Sequence, residues 1–320
     1  MMMRRRGSVA ALVIGAGALT LAAHGITSGE SRLASTAGSS PSPRHIEIAA
    51  PLPTSSATSS ALPTPSATPT PTPSASRSMP QDTSPAGIDA SLLQLFGSPS
   101  AYSAAAVDLV TGRSVTLGAG SEMYAASAIK LNFLETMLYQ HQQSGEELTS
   151  DEQADATAMI EQSDNDAADR VWRDAGASDG INAYNQIAGL TSTTMDPDGY
   201  WGLSTSSAAD QIILLRNLTS SSSLLNAASR AYALDLMSNV DPDQRWGVSV
   251  AADAGTATAD KNGWLAIDPD NDLWAVNSLG VLTVHGHPVL MAVLSQHEPD
   301  FQTGVDRVEQ AAAELSAGLG

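Results

Sequence analysis

Residues 127–130 read Ser-Ala-Ile-Lys, and residues 261–263 read Lys-Asn-Gly. Lys130 and Lys261 are the only two lysines among the 15 lysine and arginine residues of the chain. Arginine keeps its charge in almost every environment, whereas a buried lysine can lose its proton and act as a base. A GC-rich genome would explain why lysine is rare, but not why both lysines lie in short polar motifs. The placement indicates that these two positions need an amine.

The first motif joins Ser127 to Lys130 at the start of a helix predicted over 125–140. Residues three apart on a helix share one face, with Cβ atoms about 5–6 Å apart. A serine hydroxyl is a poor nucleophile without a base in hydrogen-bonding reach. Lys130 is a candidate base, because nearby Phe133 and Leu134 provide the apolar surroundings that lower an amine pKa. Taken alone, the spacing also fits an unrelated surface serine and lysine.

Two further motifs carry polar groups that such a nucleophile would use. Ser163-Asp164-Asn165 lies between two predicted helices, where Ser163 could relay a proton and Asn165 could hold a substrate amide or orient Lys130. The alternative is a simple helix cap, because serine, aspartate and asparagine all favour caps. Lys261 would provide a positive charge for a substrate carboxylate, and Gly263 would permit close backbone approach. The alternative for Lys261 is an ordinary lysine on an edge strand.

The three motifs in this order, S-x-x-K, S-D-N and K-x-G, resemble those of the penicillin-recognising serine enzymes, in particular the class A β-lactamase-like branch. The resemblance runs from about Ile88 to the C-terminus. It implies that Ser127 is the acylated nucleophile and that Lys130 and Ser163 handle its proton. It also implies an oxyanion hole formed by the backbone N–H groups of Ser127 and Trp264. The residues that would contact the substrate are Asn165, Lys261, Asn262, Gly263 and Trp264.

Three departures from the family pattern modify this expectation. Asn262 stands where the family usually has threonine or serine, which predicts altered substrate recognition. The stretch from Ser127 to Ser163 is short, which predicts a trimmed wall of the cleft. No glutamate lies between Glu161 and Glu298, so the family's E-x-x-L-N loop, which activates the deacylating water, has no counterpart. Asp196 and Asp198 lie in the corresponding region, but their side chains are shorter. We therefore expect acylation with slow turnover.

The hydrophobic pattern predicts an α+β fold, with one antiparallel sheet built from both ends of the domain and a helical block between them. The predicted strands cover 102–110, 114–117, 246–251, 258–267, 273–276, 280–284 and 289–295. The predicted helices cover 90–96, 125–140, 151–162, 167–175, 178–188, 206–218, 223–237 and 302–315, with Thr205 as the N-cap of the helix at 206–218.

The composition divides the chain into three parts. Residues 1–28 combine three arginines with a short apolar run, which is typical of an export signal, either cleaved or retained as a membrane anchor. Residues 29–87 are rich in proline, serine and threonine and predict a disordered linker. Residues 88–320 are the predicted catalytic domain. We therefore expect a secreted or cell-envelope protein whose N-terminal segment is able to associate with the membrane.

The net charge of −19 argues against nucleic acid as a partner, since like charges repel. The absence of cysteine excludes disulfides and lipid attached to cysteine. His285-Gly286-His287 and the acidic run Asp268–Asp272 lack the further ligands of zinc and calcium sites, so we expect no metal and no cofactor. Trp246, Trp264 and Trp274 either pack in the core or line a groove. The expected state is a monomer.

The sequence thus predicts an exported serine hydrolase that acts through an acyl-serine intermediate. Its substrates would be β-lactams or peptidoglycan stem peptides that end in D-Ala. One alternative is an enzyme like the D-alanyl-D-alanine carboxypeptidases, which would release D-Ala. Another is a catalytically weak envelope module whose cleft binds wall fragments or a protein. A retained Ser127–Lys130 pair argues against a pure binding module, because such a module needs no activated serine.

Overall fold

A five-stranded antiparallel sheet organises the part of the chain that the computed structural model describes, residues 86–118, 122–267 and 272–320. Its strand order is β2-β1-β7-β6-β5, and a separate two-stranded ribbon joins β3 to β4. The strands are β1 (Tyr102–Asp108), β2 (Ser114–Leu117), β3 (Met123–Tyr124), β4 (Thr205–Ser206), β5 (Ala259–Ile267), β6 (Leu273–Val284) and β7 (His287–Glu298).

Helices cover both faces of this sheet. The first and last of them, α1 and α8, pack together on one face, and the helical block of α2 to α7 lies on the other. The helices are α1 (Ala86–Phe96), α2 (Lys130–Ser144), α3 (Ser150–Glu161), α4 (Asn165–Asp174), α5 (Ala177–Ala188), α6 (Ala208–Thr219), α7 (Ala227–Ser238) and α8 (Phe301–Leu319).

Strand β7 shows how the sheet separates two apolar layers. Successive side chains of a strand point to opposite faces. Leu290, Ala292 and Leu294 accordingly join the core under the helical block. Met291 and Val293 join the core under α1 and α8. A strand covered on both faces reads as a continuous apolar run, and this run places β7 in the middle of the domain.

Helix α2 is the central helix of the block and contacts each of α3 to α7. All nine residues from Lys130 to Leu138 are buried. A helix buried all round is usually apolar all round, yet this one buries the polar side chains of Lys130, Asn132, Glu135 and Thr136. Buried polar groups need partners to offset their lost hydration. The buried polar side chains therefore mark the N-terminal end of α2 as a candidate functional region.

The predicted fold class is confirmed, with an antiparallel sheet drawn from both ends of the domain around a helical block. Most predicted elements lie within a few residues of the observed ones. Two strand predictions are wrong. Residues 246–251 were expected to be a strand, but Gly247–Ala251 is a 3₁₀ helix, because Gly247 has φ 81° and Val248 donates a hydrogen bond to Ser278 Oγ across the face of β6. The strands expected at 273–276 and 280–284 are one strand, β6.

The continuity of β6 has a physical reason. The polar residues Asn277 and Ser278 lie in the gap between the two expected strands, but both side chains bind backbone groups and stay buried. The N-cap of α6 is Ser207, whose side chain accepts from Asp210 N, and not Thr205, which lies in β4. The predicted leader at 1–28 and nearly all of the linker at 29–87 lie outside the described residues, so the predictions there stand as made. None of the helices in the described ranges is long and apolar enough to cross a membrane.

Candidate active site

Ser127 lies in a 3₁₀ helix, Ala126–Ile129, that runs directly into α2. The backbone N–H of Lys130 donates to Ser127 O, a bond between residues three apart. Side chains three apart eclipse one another in 3₁₀ geometry, so Ser127 and Lys130 lie on one face. Ser127 is partly exposed, whereas Lys130 is fully buried. Ala126, just before the serine, has φ 46°, a left-handed value that is costly for a residue other than glycine.

Lys130 is held by three acceptors. Its Nζ atom donates to Ser163 O at 2.6 Å, to Asn165 Oδ1 at 2.8 Å and to Ser163 Oγ at 3.3 Å. An ammonium group has three donors, so this arrangement accommodates the charged form of the lysine. The structure therefore brings the first two sequence motifs together around one amine.

Ser163 lies in the break between α3 and α4 with φ 57°. The next residue, Asp164, is the N-cap of α4, and its side chain accepts from Ala167 N at 2.7 Å. Both readings of the Ser-Asp-Asn motif thus apply, since Asp164 caps the helix while Ser163 and Asn165 contact Lys130. A left-handed backbone at a residue other than glycine often marks a functional site. Here it occurs at Ser163 itself and at Ala126, the residue before Ser127.

Lys261 reaches the same hydroxyl from strand β5. Its Nζ atom donates to Ser163 Oγ at 3.0 Å and to Asn262 O at 2.7 Å, and its side chain is 1% exposed. All three motifs therefore converge on Ser163, which lies between the two lysines of the chain.

Burial lowers the pKa of both lysines. Burial is the main cause at Lys130 and brings the pKa to about 8, although Asp164 and Asp169 act in the opposite direction. The pKa of Lys261 is lowered well below its usual value by burial and by the nearby charge of Lys130. Desolvation favours the neutral form of an amine. With a pKa of about 8, a fraction of Lys130 is neutral at neutral pH, and that neutral amine is a competent general base.

Gly263 allows β5 to approach the nucleophile closely. A Cβ atom added here would lie 2.3 Å from Ala128 N and 2.7 Å from Ser127 N. Any side chain would therefore push the strand away from the 3₁₀ helix. Strand β5 is an edge strand of the sheet, and at Gly263 it lies directly against this helix.

The two other residues predicted on β5 have structural contacts. The Asn262 amide nitrogen donates to Gln244 O at 2.6 Å and Trp246 O at 3.0 Å, which ties the strand to the segment before Gly247. The ring of Trp264 packs against Trp246 and Phe301, with ring centroids 5.8 and 5.6 Å apart. Direct substrate contact by Asn262, and an oxyanion contact by Trp264 N–H, remain predictions.

Asn277 is a site residue that the sequence analysis missed. It lies on β6 opposite Gly263, and its Nδ2 atom donates to Tyr124 O and Ala125 O, both at 2.9 Å. Ser295 N donates to its Oδ1 atom. Asn277 thus anchors the two residues that lead into the 3₁₀ helix of Ser127. A buried asparagine between two apolar segments was the available signal, but Asn277 lay in the gap between the two predicted strands.

Trp201 was missed as well. Its ring centroid lies 5.1 Å from Lys130 Nζ, and its indole N–H donates to Asp169 Oδ1 at 2.7 Å. It belongs to a 3₁₀ helix, Trp201–Leu203, that precedes β4. Nothing in its sequence context distinguishes it, because the contact joins residues far apart in the chain.

The weaker sequence signals lie elsewhere. His287 Nδ1 is 2.8 Å from Asp108 Oδ2, and His285 Nε2 is 3.2 Å from Ser316 O, both beside the β6–β7 turn. Within the described ranges, no group of three or more His, Cys, Asp or Glu side chains could hold a metal. Residues 268–271 of the acidic run lie outside those ranges. The three tryptophans, 246, 264 and 274, surround Phe301.

Comparison with solved structures supports the fold. The chain is similar to PBP-A, with a TM-score of 0.63 and 18% identity over 76% of this chain and 99% of that one. A mutant of PBP-A, solved as an acyl-enzyme complex with penicillin G, matches with a TM-score of 0.62 and 19% identity over 73% and 96% of the two chains. A β-lactamase from Streptosporangium roseum matches with a TM-score of 0.62 and 19% identity over 74% and 99%.

Sequence comparison gives a partial relative and a family. LppW of Mycobacterium bovis, named as a lipoprotein, is 30% identical over 110 residues, which is 34% of this chain and 35% of LppW. The sequence profile of the Beta-lactamase2 family, described as the beta-lactamase enzyme family, matches residues 136–319. The match includes Ser163 and Lys261 and begins after Lys130. The fold and this match over more than half of the chain show that the protein belongs to the beta-lactamase enzyme family, whose members are serine hydrolases.

Proposed function

We propose that the protein is an exported serine hydrolase that forms an acyl ester on Ser127 from β-lactams or from stem peptides ending in D-Ala. The observation that carries this proposal is the convergence of Lys130 and Lys261 on Ser163 Oγ, beside the face that Ser127 shares with Lys130. For stability alone, apolar side chains would serve better than two buried amines with lowered pKa values.

The acylation step follows from these contacts. Ser127 Oγ attacks the carbonyl carbon of the amide while its proton passes to Lys130 Nζ. The C–N bond then breaks, and Lys130 passes this proton through Ser163 Oγ to the leaving nitrogen, which returns Lys130 to its neutral form. The backbone N–H of Ser127, at the start of the helical segment, is suited to stabilise the developing oxyanion, with Trp264 N–H as the second proposed donor. The product is an ester on Ser127.

The proposed turnover is slow because the deacylation base is missing. The nearest candidate in the loop is Asp196, and its Oδ1 atom accepts the backbone N–H groups of Asp198 and Tyr200, each at 3.0 Å. This carboxylate shapes its own turn. Asp198 is exposed. With no glutamate between Glu161 and Glu298, the hydrolytic water lacks the activator that the resemblance would require.

The charge of the site favours a substrate with a carboxylate. Lys130 and Lys261 place two amines at the centre of a strongly acidic chain. Their field is least screened along the buried cleft, so an anionic group is attracted there despite the negative surface. Both penicillins and D-Ala-terminated peptides carry such a carboxylate. The proposed location is the cell envelope, supported by the export-type leader and by the name of LppW as a lipoprotein. Since this sequence has no cysteine, attachment by a lipidated cysteine is not proposed.

Labelling with a fluorescent penicillin tests the proposal. We expect one label per chain, retained for many minutes after free penicillin is removed, and no label on Ser127→Ala. A chromogenic cephalosporin measures turnover in parallel. Rapid hydrolysis without a persistent adduct would overturn the slow-turnover proposal, and absence of any label would favour the binding-module alternative. Release of D-Ala from a model pentapeptide would identify the carboxypeptidase alternative.

A further inference from the structure

The loop that leads from α5 to β4 brings an aromatic ring to the catalytic lysine. Trp201 lies with its ring centroid 5.1 Å from Lys130 Nζ, within the range of a cation–π interaction. In the family that the sequence resembles, a loop in this region carries the water-activating glutamate. Here the same region presents an indole to Lys130.

Two contacts fix the indole in place. Its N–H donates to the carboxylate of Asp169 on α4 at 2.7 Å. Its ring meets the edge of Phe133 on α2, with centroids 5.9 Å apart and an interplanar angle of 85°. A charge-assisted hydrogen bond and an edge-to-face ring pair hold it from two helices. The ring is therefore a fixed part of the site.

The position of this ring affects the access of water to Lys130 more than it affects the binding of substrate. Lys130 is 0% exposed, and the Trp201 ring is one of the groups that cover its amine. Hydrolysis of an acyl ester on Ser127 requires a water that gives its proton to a base as its oxygen attacks the carbonyl carbon. The ester C–Oγ bond then breaks, and Ser127 recovers a proton. A water excluded from Lys130 cannot use that amine as its base.

The ring also favours the charged form of the lysine. An aromatic face attracts an ammonium group but not a neutral amine. During acylation Lys130 passes the proton of Ser127 on through Ser163 Oγ, so its amine is neutral again in the acyl-enzyme. Only a neutral amine can accept a proton from water. By favouring the charged form, the ring disfavours this base at the deacylation step.

We propose that Trp201, tethered by Asp169, is a positioning residue that shields Lys130 from water and sets the lifetime of the acyl-enzyme. The inference deepens the proposed function and rests on it. It concerns deacylation alone, because the acylating groups remain in place without the indole.

The test separates the two steps kinetically. Wild type, Trp201→Ala and Trp201→Phe are acylated with penicillin G, freed from excess drug, and followed by intact-mass spectrometry. We expect Trp201→Ala to lose its adduct at least about tenfold faster than wild type, with Trp201→Phe between them. Trp274→Ala, which removes a partly exposed tryptophan away from Lys130, is the matched control and should deacylate like wild type.

Each outcome bears on one claim. If wild type forms no adduct, the proposed function fails; if wild type forms an adduct and Trp201→Ala loses it no faster, this inference fails. Should Trp201→Ala not fold or not acylate, Asp169→Ala carries the test, since it keeps the indole but removes its tether. Faster deacylation of Asp169→Ala supports the inference. Asp169→Asn should deacylate at a rate close to that of wild type, because its amide oxygen still accepts the indole N–H. Unchanged deacylation in Asp169→Ala would overturn it.

Discussion

Lys130 and Lys261 donate to the same hydroxyl oxygen, Ser163 Oγ, at 3.3 and 3.0 Å. Their amines are therefore within about 6 Å of one another, where two like charges repel by about 3 kcal/mol at an effective dielectric constant of about 20. Both side chains are also buried, which adds a cost for each charge. The pair is most stable with one amine neutral. Acylation requires the neutral amine to be the one beside Ser127, Lys130.

Acylation should therefore depend on pH through Lys130. Its pKa is lowered to about 8, so the neutral fraction rises with pH up to that value. We expect the second-order acylation rate with penicillin G to increase about tenfold per pH unit between about pH 6 and 7 and to level off above about 8. Stopped-flow fluorescence of the labelled enzyme measures this profile. A rate that is flat across the range would contradict the role of Lys130 as base.

Loss of the shared hydroxyl should slow acylation without unfolding the protein. We expect Ser163→Ala to acylate about 10²- to 10⁴-fold more slowly, because the proton relay to the leaving nitrogen is removed. Since Ser163 has φ 57°, Ser163→Gly is the companion variant that lacks both the hydroxyl and the strain. Equal losses in the two variants would assign the effect to the hydroxyl, whereas recovery in the glycine variant would assign it to the backbone.

A single methyl group on β5 should disable the site. In Gly263→Ala the new Cβ would meet Ala128 N at 2.3 Å, and the neighbours are backbone atoms that cannot rotate away. We expect at least a hundredfold slower acylation, on the order of the effect of displacing reacting groups by 1 Å. Gly87→Ala is the control, because nothing lies within 4 Å of its added Cβ. Normal acylation by Gly263→Ala would show that β5 does not need its close approach.

Removal of the anchor at Asn277 should affect both stability and activity. Asn277→Ala leaves Tyr124 O and Ala125 O without their buried donor, which should cost about 1–3 kcal/mol of unfolding free energy. The same change loosens the segment that leads into Ser127 and should slow acylation. Urea unfolding and penicillin labelling measure the two effects. Asn239→Ala, at an exposed position, should change neither, and a stable, fully active Asn277→Ala protein would refute the anchoring role.

The unfolding free energy should depend on pH in part through the titration of Glu135. This carboxyl is fully buried on α2 and accepts from Tyr184 OH at 2.6 Å and Asn217 Nδ2 at 3.1 Å, yet burial raises its pKa to about 8. Its pKa in the unfolded chain is about 4.3. The folded protein therefore binds a proton that the unfolded chain has lost, so the stabilising contribution of Glu135 declines as pH rises from about 4.3 to about 8.

The difference in unfolding free energy between wild type and Glu135→Gln isolates the contribution of Glu135, because both proteins share the contributions of the buried lysines. We expect the stability of wild type relative to Glu135→Gln, from urea midpoints, to decline steadily from pH 5 to 8. Glu146→Gln, at an exposed position, should show no such trend. A constant difference between wild type and Glu135→Gln would mean that Glu135 does not hold its proton in the folded state.

Sequence was sufficient for the parts of the site that depend on local spacing. Ser127 and Lys130 share a helical face because they are three residues apart, and Ser163 lies at a helix junction because its neighbour Asp164 is a good cap. The alternation of apolar residues placed the strands. Contacts between distant residues were out of reach. The role of Asn277 could not be predicted, because its partners, Tyr124 O and Ala125 O, belong to another part of the chain.

Trp201 illustrates the same limit at the site itself. Its indole reaches Lys130 through a loop whose path depends on Asp169, and no periodic pattern encodes that path. The segment 246–251 was wrongly predicted because the alternating residues Val248 and Val250 fit both a strand and a 3₁₀ helix. Its hydrogen bond to Ser278 decided between them.

Peptide mapping of the penicillin-treated protein identifies the residue that is acylated. We expect a single acyl adduct of intact penicillin mass on the peptide that contains Ser127, absent from Ser127→Ala and strongly reduced in Lys130→Ala. An adduct on any other residue, or an unmodified Ser127 in protein that is otherwise folded, would contradict the proposed role of Ser127.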